Sequence, residues 1–507
     1  MDAFFALLGG FQEALSVANL IACFAGVLAG TVAGVLPGIG PVGTMALLLP
    51  LSFGLPSDSA IIMLAGVYYG AMYGGSTTAI LINIPGETPS IVTTFDGYQM
   101  TRKGRAGAAL AISALGSFVA GSFGVIGLMF LAPFLARAAL SFGPPEYFGV
   151  AVFGLILLSN LTSAPFLKSI MMSLIGMALG TIGSDLITGM DRFTFNTPEL
   201  QSGIDFAILT MGMYGLDEVL SVADDPYTIP ALLKVKLRDL YPNREELRRS
   251  AAPMVRGGLF GFLVGLIPGP SAFLASLFSY SMEKRLSKHP EEFGKGAVEG
   301  VAGPESANNA ASAGAMVPLL ALGLAFAPPV AVLLSGFMIH GIQPGPLFIT
   351  QHGDLFWSVI ASMYIGNVML LVLNLPLVGV FASLVRAPAR FLMPAVALLT
   401  MVGAFSLNNS LFDLRILLAA TLAGYVLRRA KFEPTPLIIG MVLGPVMERG
   451  LRQGLIVTRG DLGVLVSRPI TATLLTIALA IVLYRVVKSL RGGQPAAGYA
   501  MESDANQ

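Results

Sequence analysis

Long apolar runs, interrupted by proline, glycine and short charged patches, set the pattern of this chain. Runs long enough to cross a bilayer as helices, about 20 residues each, cover 12–35, 58–82, 106–132, 145–161, 165–184 and 203–222. They continue at 305–325, 327–348, 355–384, 391–407, 411–427 and 467–487. This pattern predicts an all-α, polytopic membrane protein with about 12 membrane segments.

Composition agrees. Of the 507 residues 55% are hydrophobic and 12% charged, whereas soluble domains carry about a quarter charged residues. The net charge of +1 gives no reason to expect a nucleic-acid partner. The distribution of charge says more. No Lys or Arg precedes Arg102, and basic residues then cluster at Arg102–Arg105, Lys234–Arg256, Lys284–Lys295, Arg428–Lys431 and Arg485–Arg491. The positive-inside rule places these clusters in the cytoplasm, and the acidic loop from Asp185 to Glu199 reads as external. The N-terminus lacks a basic n-region and is expected to start outside rather than to be a cleaved signal. The single cysteine, Cys23, reads as a small apolar packing residue.

The chain also repeats itself. Gly26, Gly30, Gly34 and Gly38, with Pro37 before the last, recur as Gly257, Gly261, Gly265 and Gly269 with Pro268, at a constant offset of 231. Pro85 and Pro318, at an offset of 233, extend the match. The first copy is entered from a segment without basic residues and the second from Arg244, Arg248, Arg249 and Arg256, so the copies are expected to cross the membrane in opposite senses. Two inverted-topology repeats with broken, re-entrant helices are a common design of secondary transporters. Between Arg256 and Glu283 two legs of about 12 residues reach roughly 18 Å each, near half a membrane, with a turn at Pro268–Gly269–Pro270. The expected organisation is an N-terminal segment (1–17), a first repeat half (18–230), a basic cytoplasmic linker (231–256), a second half (257–440), a C-terminal membrane segment (441–490) and a disordered cytoplasmic tail (491–507).

The glycines four apart read as grooves for close helix packing. The Pro-Gly tips are different, because proline breaks a helix and glycine permits the turn. Amides freed near Gly38 and Gly40, and near Gly269 and Ser271, are candidates for holding an anionic ligand. Polar residues follow each tip: Ser76, Thr77, Thr78 and Asn83 in the first copy, and Glu305, Ser306, Asn308, Asn309 and Ser312 in the second. Glu305, Asn308, Asn309 and Ser312 share one helix face. Such groups in an apolar segment face an interior or a cavity, as helix–helix hydrogen bonds or as a substrate site, and their oxygens suit Na+. Glu305, Asn309 and Ser312 are the candidates for ion coupling. Glu305 reads equally as a cation or proton carrier and as an acidic first-turn residue. Neither motif contains Lys or Arg, and the three histidines (His289, His340, His352) are scattered and make no metal site.

The segments GVLPGIGPVGTMALLLPLSFGL from Gly34, YYGAMYGGSTTAILINIPGETPS from Tyr68, GLIPGPSA from Gly265 and GPESANNAASAGAMVPLLALG from Gly303 resemble the TctA family, the large membrane subunit of tripartite tricarboxylate transporters, over about residues 18–440. The resemblance implies a multi-pass protein of the bacterial inner membrane. It implies a small TctB-like membrane subunit and a periplasmic TctC-like solute-binding protein as partners. It implies uptake of carboxylates such as citrate, driven by an ion gradient of Na+ or H+, with no cofactor. Consistent with that, no G-x-x-x-x-G-K-S/T nucleotide motif occurs. An ion-independent channel or uniporter remains open as an alternative. An intramembrane enzyme lacks an H-E-x-x-H motif or a histidine partner for Ser271.

Overall fold

In the computed structural model the described residues are 2–36, 40–162, 164–185, 187–216, 220, 241–377, 380 and 389–490. Pro37, Gly38, residues 231–240 of the expected linker and the 491–507 tail lie outside them, whereas the linker from Arg244 on is helical. The described residues are mostly helical, and the only strands among them are the two-residue pair Gly183–Ser184 and Asp191–Arg192.

The first half contains α1 (Asp2–Ala14), α2 (Val17–Val35), α3 (Gly40–Ser52), α4 (Ser57–Ile82), α5 (Ile91–Arg102), α6 (Ala106–Ala139), α7 (Pro144–Leu161), α8 (Phe166–Leu179) and the short α9 (Phe206–Thr210). The second contains α10 (Arg244–Gly265), α11 (Ser271–Leu286), α12 (Glu299–Leu322), α13 (Pro328–Ile339), α14 (Gly353–Asn374), α15 (Ala389–Asn408), α16 (Leu411–Arg429), α17 (Thr435–Val457) and α18 (Pro469–Leu490). By length and composition, α2, α6, α7 and α14 can each cross a membrane. Several apolar runs are divided into shorter helices: the run 327–348 yields only α13 before His340, and 165–184 yields α8.

Lipid tails are as apolar as leucine, so helix association in a bilayer rests on close packing and polar contacts. The glycine stripes supply that packing twice. A Cβ on Gly26, Gly30 or Gly34 of α2 would lie 2.1, 2.3 and 2.3 Å from the carbonyl oxygens of Met63, Val67 and Ala71 on α4. On Gly257, Gly261 and Gly265 of α10 it would lie 2.4, 2.3 and 2.3 Å from those of Gly303, Ala307 and Ala311 on α12. The groove reading of the glycines therefore holds, backbone against backbone.

The partner helices correspond at an offset of 240, Gly303 against Met63, not at the 231 of the glycines. Both end in a left-handed residue at that same offset, Asn83 (φ 63°) and Gly323 (φ 70°). The Pro85–Pro318 match is thus fortuitous: Pro85 lies beyond the end of α4, Pro318 inside α12. Most of the nine additional positions fall in the connection after α11, twelve residues from Ser287 to Val298 where the first copy has only the four from Phe53 to Pro56.

The α10–α11 hairpin folds back on itself as the charge pattern implied. Arg256 Nε donates to Glu283 Oε1 at 2.9 Å, and a second bond joins Arg256 Nη2 to Glu283 Oε2. The excursion between them therefore returns to the level at which it started. Its tip carries Gly269 at φ 132°, a conformation that favours glycine.

Charged side chains collect in two layers. In one, Arg105 pairs with Glu246, Arg249 with Glu292 and Glu299, and Arg256 with Glu283. In the other, Arg192 and Arg452 share Asp185 and Glu448. The 34 residues of α6 separate Arg105 from Phe142 and Gly143, which border the second layer, and a helix of that length spans about 51 Å. The layers therefore lie at opposite ends of the molecule.

Hydrogen bonds from Thr188 and from the Ile187 amide, together with Arg452, hold the Asp185 carboxyl well below the usual carboxylate range. A depressed carboxylate stabilises the fold at pH values above its unfolded pKa, about 3.9, and the contribution is lost as pH falls through the folded value. Hydrogen-exchange protection around Gly183–Arg192 is accordingly expected to stay constant from pH 7 to 5 and to fall only below about pH 4. Loss of protection already between pH 7 and 5 would contradict this.

Candidate functional site

The polar residues of the two glycine-bearing pairs converge in one buried cluster between α4, α5, α6 and α12. Glu305 is its centre. Helix α12 starts at Glu299 with Val298 as its cap, so Glu305 stands beyond the first turn and its reading as a helix-start acid is excluded. It stands six positions after Glu299 in the charged layer, a depth of about 9 Å along the helix. Its carboxylate, 1% exposed, accepts hydrogen bonds from Ser76 Oγ on α4 at 2.5 Å and from Ser113 Oγ on α6 at 3.4 Å. It accepts a third from Thr93 Oγ1 on α5. Ser76 and Glu305, singled out separately in the sequence, thus bond to each other.

Asn308 and Asn309 continue the cluster. Asn308 Nδ2 donates to Glu87 Oε1 at 2.9 Å, and Asn309 Nδ2 to Ser117 Oγ at 2.7 Å and to the Glu305 carbonyl at 3.1 Å. Ser312 turns its hydroxyl back onto the Asn308 carbonyl at 3.1 Å. It also borders a cavity of about 20 Å³ lined by Tyr68, Tyr69, Tyr73, Asn309 and Asn367 among others, space for about one water. Ser306 is fully buried, with its Oγ unpartnered among the described residues.

The other candidates fall elsewhere. Thr77 is buried on α4, and Thr78 donates to the Gly75 carbonyl at 3.2 Å. Asn83 is exposed where α4 ends. Gly40 opens α3, its carbonyl capped by Thr44 Oγ1 at 2.8 Å. Gly269, after Pro268, gives its amide to the Phe326 carbonyl at 3.2 Å and faces Leu158 and Leu161. Ser271 is buried at the start of α11. The second tip therefore sits in an apolar setting, with none of the carboxylates around it.

Glu87, Thr93, Ser113 and Ser117 were not singled out in the sequence. One signal was available for Glu87. Between Asp58 and Arg102 the chain has only two charged residues, Glu87 and Asp96, and ionisable groups in apolar segments mark function. The two acids differ in the structure. Asp96 is saturated by the amides of Gly296 (2.7 Å) and Ala297 (2.8 Å) and by Tyr280 OH (2.9 Å), so it ties α5 to the lengthened connection before α12. Glu87 keeps one oxygen without a partner among the described residues.

At the opposite charged layer a basin of about 780 Å³ opens between α7, α8, α13 and α17. Arg192, Arg449 and Arg452 face it against Asp185 and Glu448, and Leu322–Leu324 at the end of α12 form part of its wall.

Apolar helices around a buried polar cluster define a multi-pass membrane protein with a polar interior. The chain belongs to the Tripartite tricarboxylate transporter TctA family, whose profile matches residues 20–439. A protein of Agrobacterium vitis described as an uncharacterized 52.8 kDa protein in the TAR-I ttuC' 3' region is 48% identical over 491 residues, 97% of this chain and 98% of its own length. Another from the same organism, described as an uncharacterized protein in the TAR-II ttuC' 3' region, is 48% identical over 231 residues, 46% of this chain and 96% of its own. No solved structure matches the chain.

Proposed function

We propose that this chain is the permease subunit of a binding-protein-dependent secondary transporter that takes up carboxylates such as citrate with an Na+ or H+ gradient. A TctB-like membrane subunit and a periplasmic TctC-like binding protein complete it in the bacterial inner membrane. The layer of Arg105, Arg249 and Arg256 then faces the cytoplasm, the Asp185 layer faces outward, and the two glycine-packed pairs form the inverted repeats. The basin at the Asp185 layer, with three arginines against two carboxylates, suits the entry of an anion.

The observation that carries this reading is Glu305: a buried carboxylate at the meeting of the two pairs, ringed by three hydroxyls and, among the described residues, by no basic side chain. A buried charge needs a compensating one, and here a mobile cation or proton supplies it. Counterflow of labelled citrate into proteoliposomes, with and without an Na+ gradient and binding protein, tests the function. Carboxylate exchange that depends on an ion gradient is the expected result. Exchange indifferent to any gradient would instead favour a uniporter, and no carboxylate exchange would overturn the reading.

Glu305→Gln keeps the shape and removes the charge. Hydrogen bonds to a charged group contribute about 1.5–3 kcal/mol, so ion-driven uptake is expected to fall about ten- to hundredfold in a protein that still folds. Unchanged uptake in this variant would remove Glu305 from the mechanism.

A further inference from the structure

We propose that Glu87 and Asn308 together ligate a sodium-sized monovalent cation, one helical turn from Glu305. Two buried oxygens carry the argument. Glu87 Oε2 and Asn308 Oδ1 have no hydrogen-bond partner among the described residues, and their residues are 8% and 0% exposed. The two side chains are already joined by Asn308 Nδ2 and Glu87 Oε1 at 2.9 Å, and each free oxygen is one carbon away from an atom of that bond. Two buried acceptors on side chains bonded to each other, neither with a donor among the described residues, are costly to leave unpaired unless a positive charge sits with them.

Among the described residues no side chain supplies that charge. Neither α4 nor α12 contains Lys or Arg. Arg105, Arg249 and Arg256 of the nearest charged layer are each paired with a carboxylate of their own. The second carboxylate, Glu305, stands three residues before Asn308 on the same helix, so the site carries two acids within one turn. Carboxylate and amide oxygens are the ligands that alkali cations take, commonly beside a broken helix end. Glu87 sits at such an end, just past the left-handed Asn83 that stops α4.

Backbone placement is part of the device. A Cβ on Gly75 would lie 2.5 Å from Glu87 Cγ, and one on Gly86 would lie 1.8 Å from the Gly34 carbonyl oxygen. Both glycines let the segment carrying Glu87 press against the α2–α4 pair while Asn308 reaches it from α12. A cation bound here therefore bridges the two glycine-packed pairs.

The inference deepens the reading of the chain as an ion-driven transporter, but its test needs no transport. Thermal unfolding of the purified full-length protein is followed in detergent, without carboxylate, against Na+, Li+, K+ and choline at fixed ionic strength. Saturable stabilisation by Na+ over choline is expected in the native protein. Glu87→Gln should raise the Na+ midpoint at least tenfold, Asn308→Ala should raise it comparably, and Glu87→Asp should raise it less. Should Glu87→Gln elute as aggregate, Asn308→Ser, which removes one ligand and no charge, serves as the deciding variant. A native protein that responds to pH alone, or Na+ midpoints unmoved in these variants, overturns the site. Na+ stabilisation that depends on Glu87 without any citrate counterflow would keep the site and sink the carboxylate-transport reading.

Discussion

Replacing Arg256 with alanine is expected to be among the most destabilising single changes in the α10–α11 hairpin. Its guanidinium is 40% exposed, but its partner Glu283 is 1% exposed and is left buried without that partner once the arginine is gone. Breaking such a pair from one side costs about 3–5 kcal/mol. The half-exposed arginine puts the expectation at the lower end, about 3 kcal/mol. The double variant Arg256→Ala with Glu283→Gln removes the stranded charge and should recover most of that loss. Thermal unfolding of the three proteins in detergent measures it. A single variant within about 0.5 kcal/mol of the native protein, the range of ordinary surface changes, would show that the pair does not hold the hairpin closed.

The second large effect is expected at Gly261. A Cβ there would stand 2.3 Å from the Ala307 carbonyl oxygen and 2.6 Å from its Cα, and backbone cannot move aside as a flexible side chain can. Overpacking of this kind costs about 1–3 kcal/mol, and valine should exceed alanine. The displaced segment is also the one that holds Ser306 and Asn308, on either side of Ala307. Gly261→Ala is therefore expected to weaken cation-dependent stabilisation as well as folding. Gly9→Ala, in a helix where a Cβ meets nothing within 4 Å, is the control and should be neutral or slightly stabilising. Equal behaviour of the two alanine variants would contradict the backbone-to-backbone contact.

These two residues show how unevenly the sequence reveals the molecule. The glycine stripe was legible because close helix packing in lipid requires small residues at a fixed local spacing, and that spacing is visible along one strand of sequence. The hairpin was legible because Arg256 and Glu283 flank an apolar excursion too short to cross and return elsewhere. Ser76, Asn308 and Glu305 were legible as polar residues in apolar segments, but not as neighbours. Ser76 and Glu305 stand 229 positions apart, and no local period encodes which hydroxyl meets which carboxylate.

By itself, then, the sequence determined the helical, membrane-type class, the two glycine stripes and the candidate polar helix, because apolar length and helical spacing are properties of contiguous residues. The tertiary structure alone decided the change of register from 231 to 240, since contacts rather than letters define which positions are equivalent after the connection to α12 lengthens. It alone decided that Asp96 is saturated and Glu87 is not, because whether a buried carboxylate is satisfied depends on the amides and hydroxyls that distant segments bring to it.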